Sequence, residues 1–133
     1  MKIKFHNYLK IIIVTFALLA AGCGRIQTNP PAEGPDFSVD FSVEPADPAV
    51  GPAQLRITLT DDNGQPVDDA TLNIEGNMTH AGMTPVFAQT SGGEDGQYLV
   101  PFEWTMGGDW IVTVEVTLAD SRVVTRQFPV VVE

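Results

Sequence analysis

Short runs in which apolar and polar residues alternate constrain what this chain can fold into after about residue 36. The first run, FSVDFSV at 37–43, places every second side chain, an apolar one, on the same side of the backbone. A spacing of two is typical of a strand with one buried face, and no later stretch shows the spacing of an amphipathic helix. An all-β domain is therefore expected.

Six further runs follow the same rule and are separated by turn signals. They lie at 55–59, 72–74, 86–88, 98–102, 110–116 and 123–132. Turn sequences stand at 62–66 (DNGQP), 92–96 (GGEDG) and 106–109 (MGGD), and the glycines and asparagine in them tolerate positive φ. About seven short strands without a helix predict an antiparallel β-sandwich of immunoglobulin-like type, with a small barrel as the alternative.

The fifth run carries two further signals about the sandwich. Pro101 lies within it, which predicts an edge strand or a bulge because proline has no N–H for a ladder hydrogen bond. Aromatic side chains bury the most area per residue, so four of them are expected to supply much of the core volume. These four are Tyr98, Phe102, Trp104 and Trp110.

The first 22 residues have the layout of a lipoprotein signal peptide. Three lysines precede an apolar run at 11–21, and Gly22 and Cys23 follow that run directly. The ending LAAGC resembles a bacterial lipobox, except that Ala20 stands where leucine is usual. The apolar run has about half of the roughly 20 residues that a transmembrane helix needs, so a retained anchor is the alternative. The sequence predicts that Cys23 is lipidated.

The predicted cleavage site before Cys23 and the predicted tether after it divide the chain into three parts. Residues 1–22 are the signal peptide, 23–35 carry the lipid and form a proline- and glycine-containing flexible tether, and 36–133 form one domain. The acyl chains are expected to hold the protein on the cell membrane or outer membrane, with the domain on the extracytoplasmic side. Gly24 in place of aspartate favours the outer membrane where a cell has two membranes.

Charge separates this chain from proteins that bind nucleic acids. All 17 acidic residues lie after Cys23, but only four of the seven basic residues do. The part after cleavage therefore carries a formal net charge of four minus 17, or −13. Such a surface repels phosphates, and no nucleic-acid partner is expected. The single cysteine, once lipidated, leaves no thiol for a disulfide, a zinc site or a nucleophile.

Soft metal-binding side chains are concentrated in two connections between strands. Met78, His80 and Met83 fall within six residues before the fourth strand, and Met106 opens the turn after the fifth. Thioether sulfur is a soft ligand and imidazole a borderline one, so the set suits copper, Cu(I) in particular, better than calcium or magnesium. The two connections can share one end of a sandwich. The alternative is that the methionines only fill irregular gaps under a long connection.

Calcium binding and catalysis have less support. Residues 61–64 and 68–69 offer oxygen ligands, but they lack the loop spacing and the terminal glutamate of the helical calcium motif, and turn formation explains their composition. His80 belongs to no recognisable serine or cysteine constellation. The chain is therefore not expected to be an enzyme.

Four short motifs occur in an order that resembles the YtkA-like domain, which is related to the FixH family. They are G-x-P-V-x-x-A at 64–70, M-x-H-x-x-M at 78–83, D-G-x-Y at 95–98 and M-x-G-x-W at 106–110, within a span of about 53–118. The resemblance implies an extracytoplasmic sandwich domain with a copper-related role, often a lipoprotein or an appendage of efflux adaptors. The candidate ligands that it implies are Met78, His80, Met83 and Met106.

Two hypotheses of different classes follow from the sequence. In the first, a lipid-anchored protein of the cell envelope binds copper weakly, for copper handling or for assembly of an oxidase. In the second, the domain binds no metal and docks another envelope protein through its sheet edges or end loops.

Replacing the proposed lipid-bearing residue tests the anchor. We expect Cys23→Ser to move the protein from the membrane fraction to the soluble fraction, because buried acyl chains supply the attachment. Cell fractionation followed by immunoblotting measures the shift, with the unmodified chain as control. A Cys23→Ser protein that stays on the membrane, uncleaved, would mean that the apolar run at 11–21 is itself the anchor.

Overall fold

The computed structural model describes residues 37–133, which form seven antiparallel strands in two sheets. The strands are β1 (Phe37–Glu44), β2 (Gly51–Asp61), β3 (Thr71–Met78), β4 (Val86–Ser91), β5 (Gln97–Trp104), β6 (Gly108–Thr117) and β7 (Val123–Val132). One sheet has the order β1-β2-β5 and the other β4-β3-β6-β7. The predicted sandwich is confirmed, and the barrel alternative is wrong because the sheets stay separate. Within 37–133, no helix is long and apolar enough to cross a membrane.

The predictions for the N-terminal part concern residues that the structure does not describe. The signal peptide at 1–22, the lipidated Cys23 and the tether at 23–35 all lie outside the described residues. They therefore remain predictions from the sequence alone.

Alternation in the sequence appears as alternation in burial. Along β5, every second side chain from Tyr98 to Trp104 is buried and the others are exposed. Since β5 pairs with β2 only, it is an edge strand, as Pro101 predicts. A proline on an edge strand removes no ladder hydrogen bond when its nitrogen faces the open side.

The core lies between the sheets and is richest in aromatic side chains near one end. The Trp104 ring meets Phe102 at a centroid distance of 4.9 Å and Trp110 at 5.3 Å, both edge to face. These rings and Tyr98 are at most 5% exposed, which confirms the predicted aromatic core. Truncating a buried ring of this size to alanine typically costs about 3–5 kcal/mol.

The antiparallel order sorts the connections between strands into two ends. Residues 45–50, 79–85 and 105–107 lie at the end that we call the Met/His end, together with Glu133. Residues 62–70, 92–96 and 118–122 lie at the opposite end, which we call the Tyr98 end.

The Tyr98 end is held by a network of hydrogen bonds around one buried hydroxyl. The Tyr98 hydroxyl donates to the Val67 carbonyl at 2.8 Å and accepts the Ala70 N–H at 3.1 Å. The Asp68 carboxylate accepts the Gly96 N–H at 2.5 Å. Gly96 has φ of 75°, and a Cβ there would lie 2.5 Å from the Leu59 carbonyl oxygen, so only glycine fits. Two of the four motifs, at 64–70 and 95–98, therefore form one structural unit.

Removing the buried hydroxyl is expected to destabilise the fold. Tyr98→Phe leaves the Ala70 N–H without its acceptor, which costs about 1–3 kcal/mol at neutral pH. Urea unfolding followed by tryptophan fluorescence measures the change. Leu99→Ala is a matched control, because its side chain points outward from the neighbouring position of β5 and is 47% exposed. A Tyr98→Phe protein as stable as the unmodified one would contradict the role assigned to the network.

Because the Tyr98 hydroxyl is buried, we also expect a loss of stability at alkaline pH. Burial raises the pKa of Tyr98 above its usual value of 10.0, and the charges of Asp68 and Asp69 raise it further, against the lowering effect of the Ala70 N–H. The unfolded tyrosine therefore ionises first, so this contribution to stability is complete below about pH 10 and is lost as pH rises through the folded-state pKa. Stability curves above pH 9 should fall more steeply for the unmodified protein than for Tyr98→Phe. Equal slopes would contradict the assignment.

Candidate functional site

At the Met/His end, the connection at 79–85 leaves β3 and the turn at 105–107 leads into β6, which is paired with β3. Met78, the last residue of β3, lies opposite Trp110 of β6, and the Thr79 N–H donates to the Asp109 carbonyl at 3.0 Å. The connection at 79–85 thus starts beside the first residues of β6, which the turn at 105–107 precedes. All four candidate ligands lie at this one end of the sandwich.

Met78 differs from the other three because it points towards the core. Its cross-strand partner Trp110 is buried, and the Met78 side chain packs against the hydrophobic cluster. The Met78 methyl carbon lies 3.0 Å from the position that a Cβ on Gly108 would occupy. This methionine therefore fills the gap beneath the turn, which is the packing role that the sequence left open as an alternative.

Two of the other three side chains are exposed: His80 is exposed and Met106 is 45% exposed. Met83 is half-buried, like Met78. The Trp110 indole N–H donates to the Met106 carbonyl at 3.1 Å, which ties the turn to the buried ring. The Met106 thioether is left exposed on a turn whose backbone is fixed, so it can take part in binding without a rearrangement of the fold.

The donor chemistry at this end is soft. Among residues 37–133, no group of three or more His, Cys, Asp or Glu side chains is placed to hold a metal ion. A metal at the Met/His end would depend on methionine sulfur with one imidazole, a donor set that suits Cu(I) or Ag(I) rather than a hard cation. The residue types at this end are therefore soft and borderline donors.

The electrostatic setting favours cations over the whole domain. Residues 37–133 contain 15 carboxylate side chains and three arginines. Arg56 pairs with Glu44 and Arg122 with Asp120, each at 2.6 Å. These exposed pairs add little to stability. The large excess of negative charge raises the local concentration of cations without selecting among them.

The sequence did not reveal the local roles of two residues that shape the Met/His end. Gly108 gives Met78 room, and the Trp110 indole N–H holds the Met106 turn. The motif M-x-G-x-W at 106–110 contains both residues, so the signal was present in the sequence. Their roles depend on the pairing of β3 with β6, which the motif alone does not specify.

Comparisons with known proteins identify a family and a fold. A family model described as YtkA-like matches residues 32–115, more than half of the chain. This span begins earlier than the motifs at 64–110 and includes β1. No protein of curated function matches the sequence significantly.

Solved structures with the same type of fold differ strongly in sequence. A superoxide reductase (neelaredoxin) from Ignicoccus hospitalis aligns with a TM-score of 0.52 and 11% identity, over 77% of this chain and 83% of that one. A second structure with that name aligns with a TM-score of 0.52 and 10% identity, over 75% of this chain and 82% of that one. The soluble domain of PmoD from a Methylocystis species aligns with a TM-score of only 0.48 and 14% identity, over 74% of this chain and 98% of that one. At such identities the first two establish a similar fold and nothing about chemistry, and the third is too distant for a conclusion.

A substitution at Gly108 tests how the Met/His end is packed. Gly108→Ala is expected to cost about 1–3 kcal/mol, since φ is 132° and the new Cβ would press on the Met78 methyl group at 3.0 Å. Gly107→Ala is the control, because its Cβ would meet backbone atoms at an ordinary 3.4 Å. Urea unfolding of both variants measures the difference. Equal stabilities would contradict the described packing.

Proposed function

This chain belongs to the YtkA-like family, and on that premise we propose that it is a lipid-anchored protein of the cell envelope that binds copper weakly. The ion is Cu(I), and its ligands come from the Met/His end. The protein serves in copper handling or in delivery to an envelope oxidase.

One observation carries the proposal. The connection at 79–85 leaves β3 and the turn at 105–107 leads into β6, which pairs with β3, so His80, Met83 and Met106 share one end of the sandwich. The exposure of His80 and Met106 leaves these two side chains available to an ion from solvent. Soft donors on two short connections suit an ion that must be released again.

The weakness of the site follows from the same geometry. Met78 already packs against the core, and taking part in a metal site would require it to leave those contacts. The other three donors then provide an incomplete, open shell. An open shell matches a protein that passes an ion on better than one that stores it.

Attachment to a membrane rests on the sequence of the N-terminal part. A lipidated Cys23 provides the hydrophobic attachment, and the negative charge of the domain keeps it away from anionic headgroups. The proposal includes no catalytic step and no nucleic-acid partner.

The packing of Met78 favours a second candidate function. If the methionines serve the core and the turn only, the protein is a metal-free module that docks another envelope protein. Direct metal titration separates the two functions.

Titration with soft ions tests the copper proposal. The full chain, carrying methyl-labelled methionine in a non-ionic detergent, is titrated with Ag(I) or with Cu(I) under reducing conditions. The Met83 and Met106 methyl signals should move together and further than the signal of Met78, which packs against the core, and calcium serves as a hard-ion control. Methyl signals that stay unchanged with both soft ions would reject copper binding and leave the docking module.

Single substitutions identify the ligands. Met106→Leu and His80→Asn should each weaken Ag(I) binding by about tenfold or more, since altering a metal site commonly costs that much. Met78→Leu is the matched control, because leucine preserves its packing volume and the proposal gives it the smallest role in binding. Equal effects of Met106→Leu and Met78→Leu would argue against a site built on the exposed donors.

A further inference from the structure

A shallow apolar groove runs along the open side of the sandwich, between β1 and β7. Its volume is about 280 Å³, and it is lined mainly by apolar side chains. They include Val43, Ala46, Pro48, Pro129 and Val131. The groove lies towards the Met/His end, because the connection at 45–50 forms one of its walls.

Two strand edges flank this groove. Strands β1 and β7 are outermost in their sheets, and Phe41 stacks on Phe128 between them, with ring centroids 4.6 Å apart. An outermost strand offers backbone N–H and C=O groups that have no partner in its own sheet. The stacked rings close the core below, so an occupant of the groove contacts the two edges and the apolar walls.

The edge of β7 already accepts a short piece of chain. Glu133 donates its N–H to the Pro48 carbonyl at 2.9 Å and accepts the Val50 N–H at 3.3 Å. Backbone groups of alternate residues in a strand point to the same edge, so those of Val131 face the edge that Glu133 uses. Pro129, two residues earlier, offers only a carbonyl, which restricts an added strand to a short stretch.

Charge selects the kind of occupant. Asp47 lies between two residues that line the groove, Asp109 is the cross-strand partner of outward-pointing Val131, and Glu133 follows the last residue of β7. None of these three carboxylates takes part in an ion pair among residues 37–133. A second copy would bring the same negative charge to this surface, so self-association is disfavoured.

We propose that the groove between β1 and β7 docks an extended segment of a partner protein in which apolar and basic side chains alternate. The apolar side chains enter the groove between the sheets, towards Val43 and Val130 on the inner face, and the basic side chains lie on the outer face with exposed Val131. The basic side chains meet the carboxylates of Asp47, Asp109 and Glu133. Such a surface requires no metal and is independent of the copper proposal.

Peptide binding to the full chain in a non-ionic detergent tests the proposal. The probe is a capped, fluorescent peptide of alternating lysine and valine, followed by fluorescence polarisation. One control peptide has glutamate in place of lysine and another has serine in place of valine. Only the lysine–valine peptide should bind measurably, and its affinity should fall with added salt. Equal binding of either control peptide would overturn the proposal.

Matched surface variants locate the binding. Val131→Lys should weaken binding by about tenfold, because it places a positive charge on the outer face, where the basic side chains of the segment lie. Phe87→Lys is the control, since Phe87 is 70% exposed on β4 at the opposite edge of the same sheet. Asp47→Asn should weaken binding by about twofold to fivefold, whereas Glu94→Gln at the Tyr98 end should not.

The remaining outcomes each decide against the proposal. Equal losses in Val131→Lys and Phe87→Lys would indicate non-specific attraction to an acidic surface. Sedimentation of the free chain that shows a dimer, dispersed by Val131→Lys, would make a second copy the occupant instead. Near-ultraviolet circular dichroism checks that each variant keeps its fold, which is expected because these side chains are exposed.

Discussion

Packing between two sheets holds this domain together without any covalent support. Residues 37–133 contain no cysteine, so the inward side chains must supply the stability that disulfides provide in many extracytoplasmic domains of this size. The aromatic group of Phe102, Trp104 and Trp110 lies at the Met/His end of that core. Every feature at this end depends on it, because Met78 packs against the core and the Met106 turn is hydrogen-bonded to Trp110.

The two ends of the sandwich divide structural and chemical roles between them. At the Tyr98 end, polar side chains form hydrogen bonds within the domain: the Tyr98 hydroxyl and the Asp68 carboxylate bind backbone groups of neighbouring connections. At the Met/His end, His80 and Met106 remain exposed. The four motifs of the sequence thus separate in space into one pair that fixes the fold and another pair that presents donors.

Local pattern predicted the number and order of the strands, but it gave most of them, β3 above all, as shorter than they are. The last strand was predicted at 123–132 and lies there, and Pro101 correctly indicated an edge strand. The third strand was predicted at 72–74, which wrongly left Met78 in the following connection; the strand extends to Met78, and the alternation of Leu72 and Ile74 then turns Met78 inward. The groove was not predictable, since β1 and β7 come from opposite ends of the domain and meet only through packing.

The candidate ligands and the groove are connected through the backbone of β6. Val131 pairs with Asp109, and the Asp109 carbonyl accepts the N–H of Thr79, the residue before His80. A segment docked along β7 would lie on the far side of β6 from β3, so the two sites share one end of the domain without direct contact. Since hydrogen bonds between Glu133 and the 45–50 connection fix one wall of the groove, such a partner would meet a preformed surface and would pay little ordering cost for it. On this argument, a carrier of copper and a docking module are compatible descriptions of one end of the same domain.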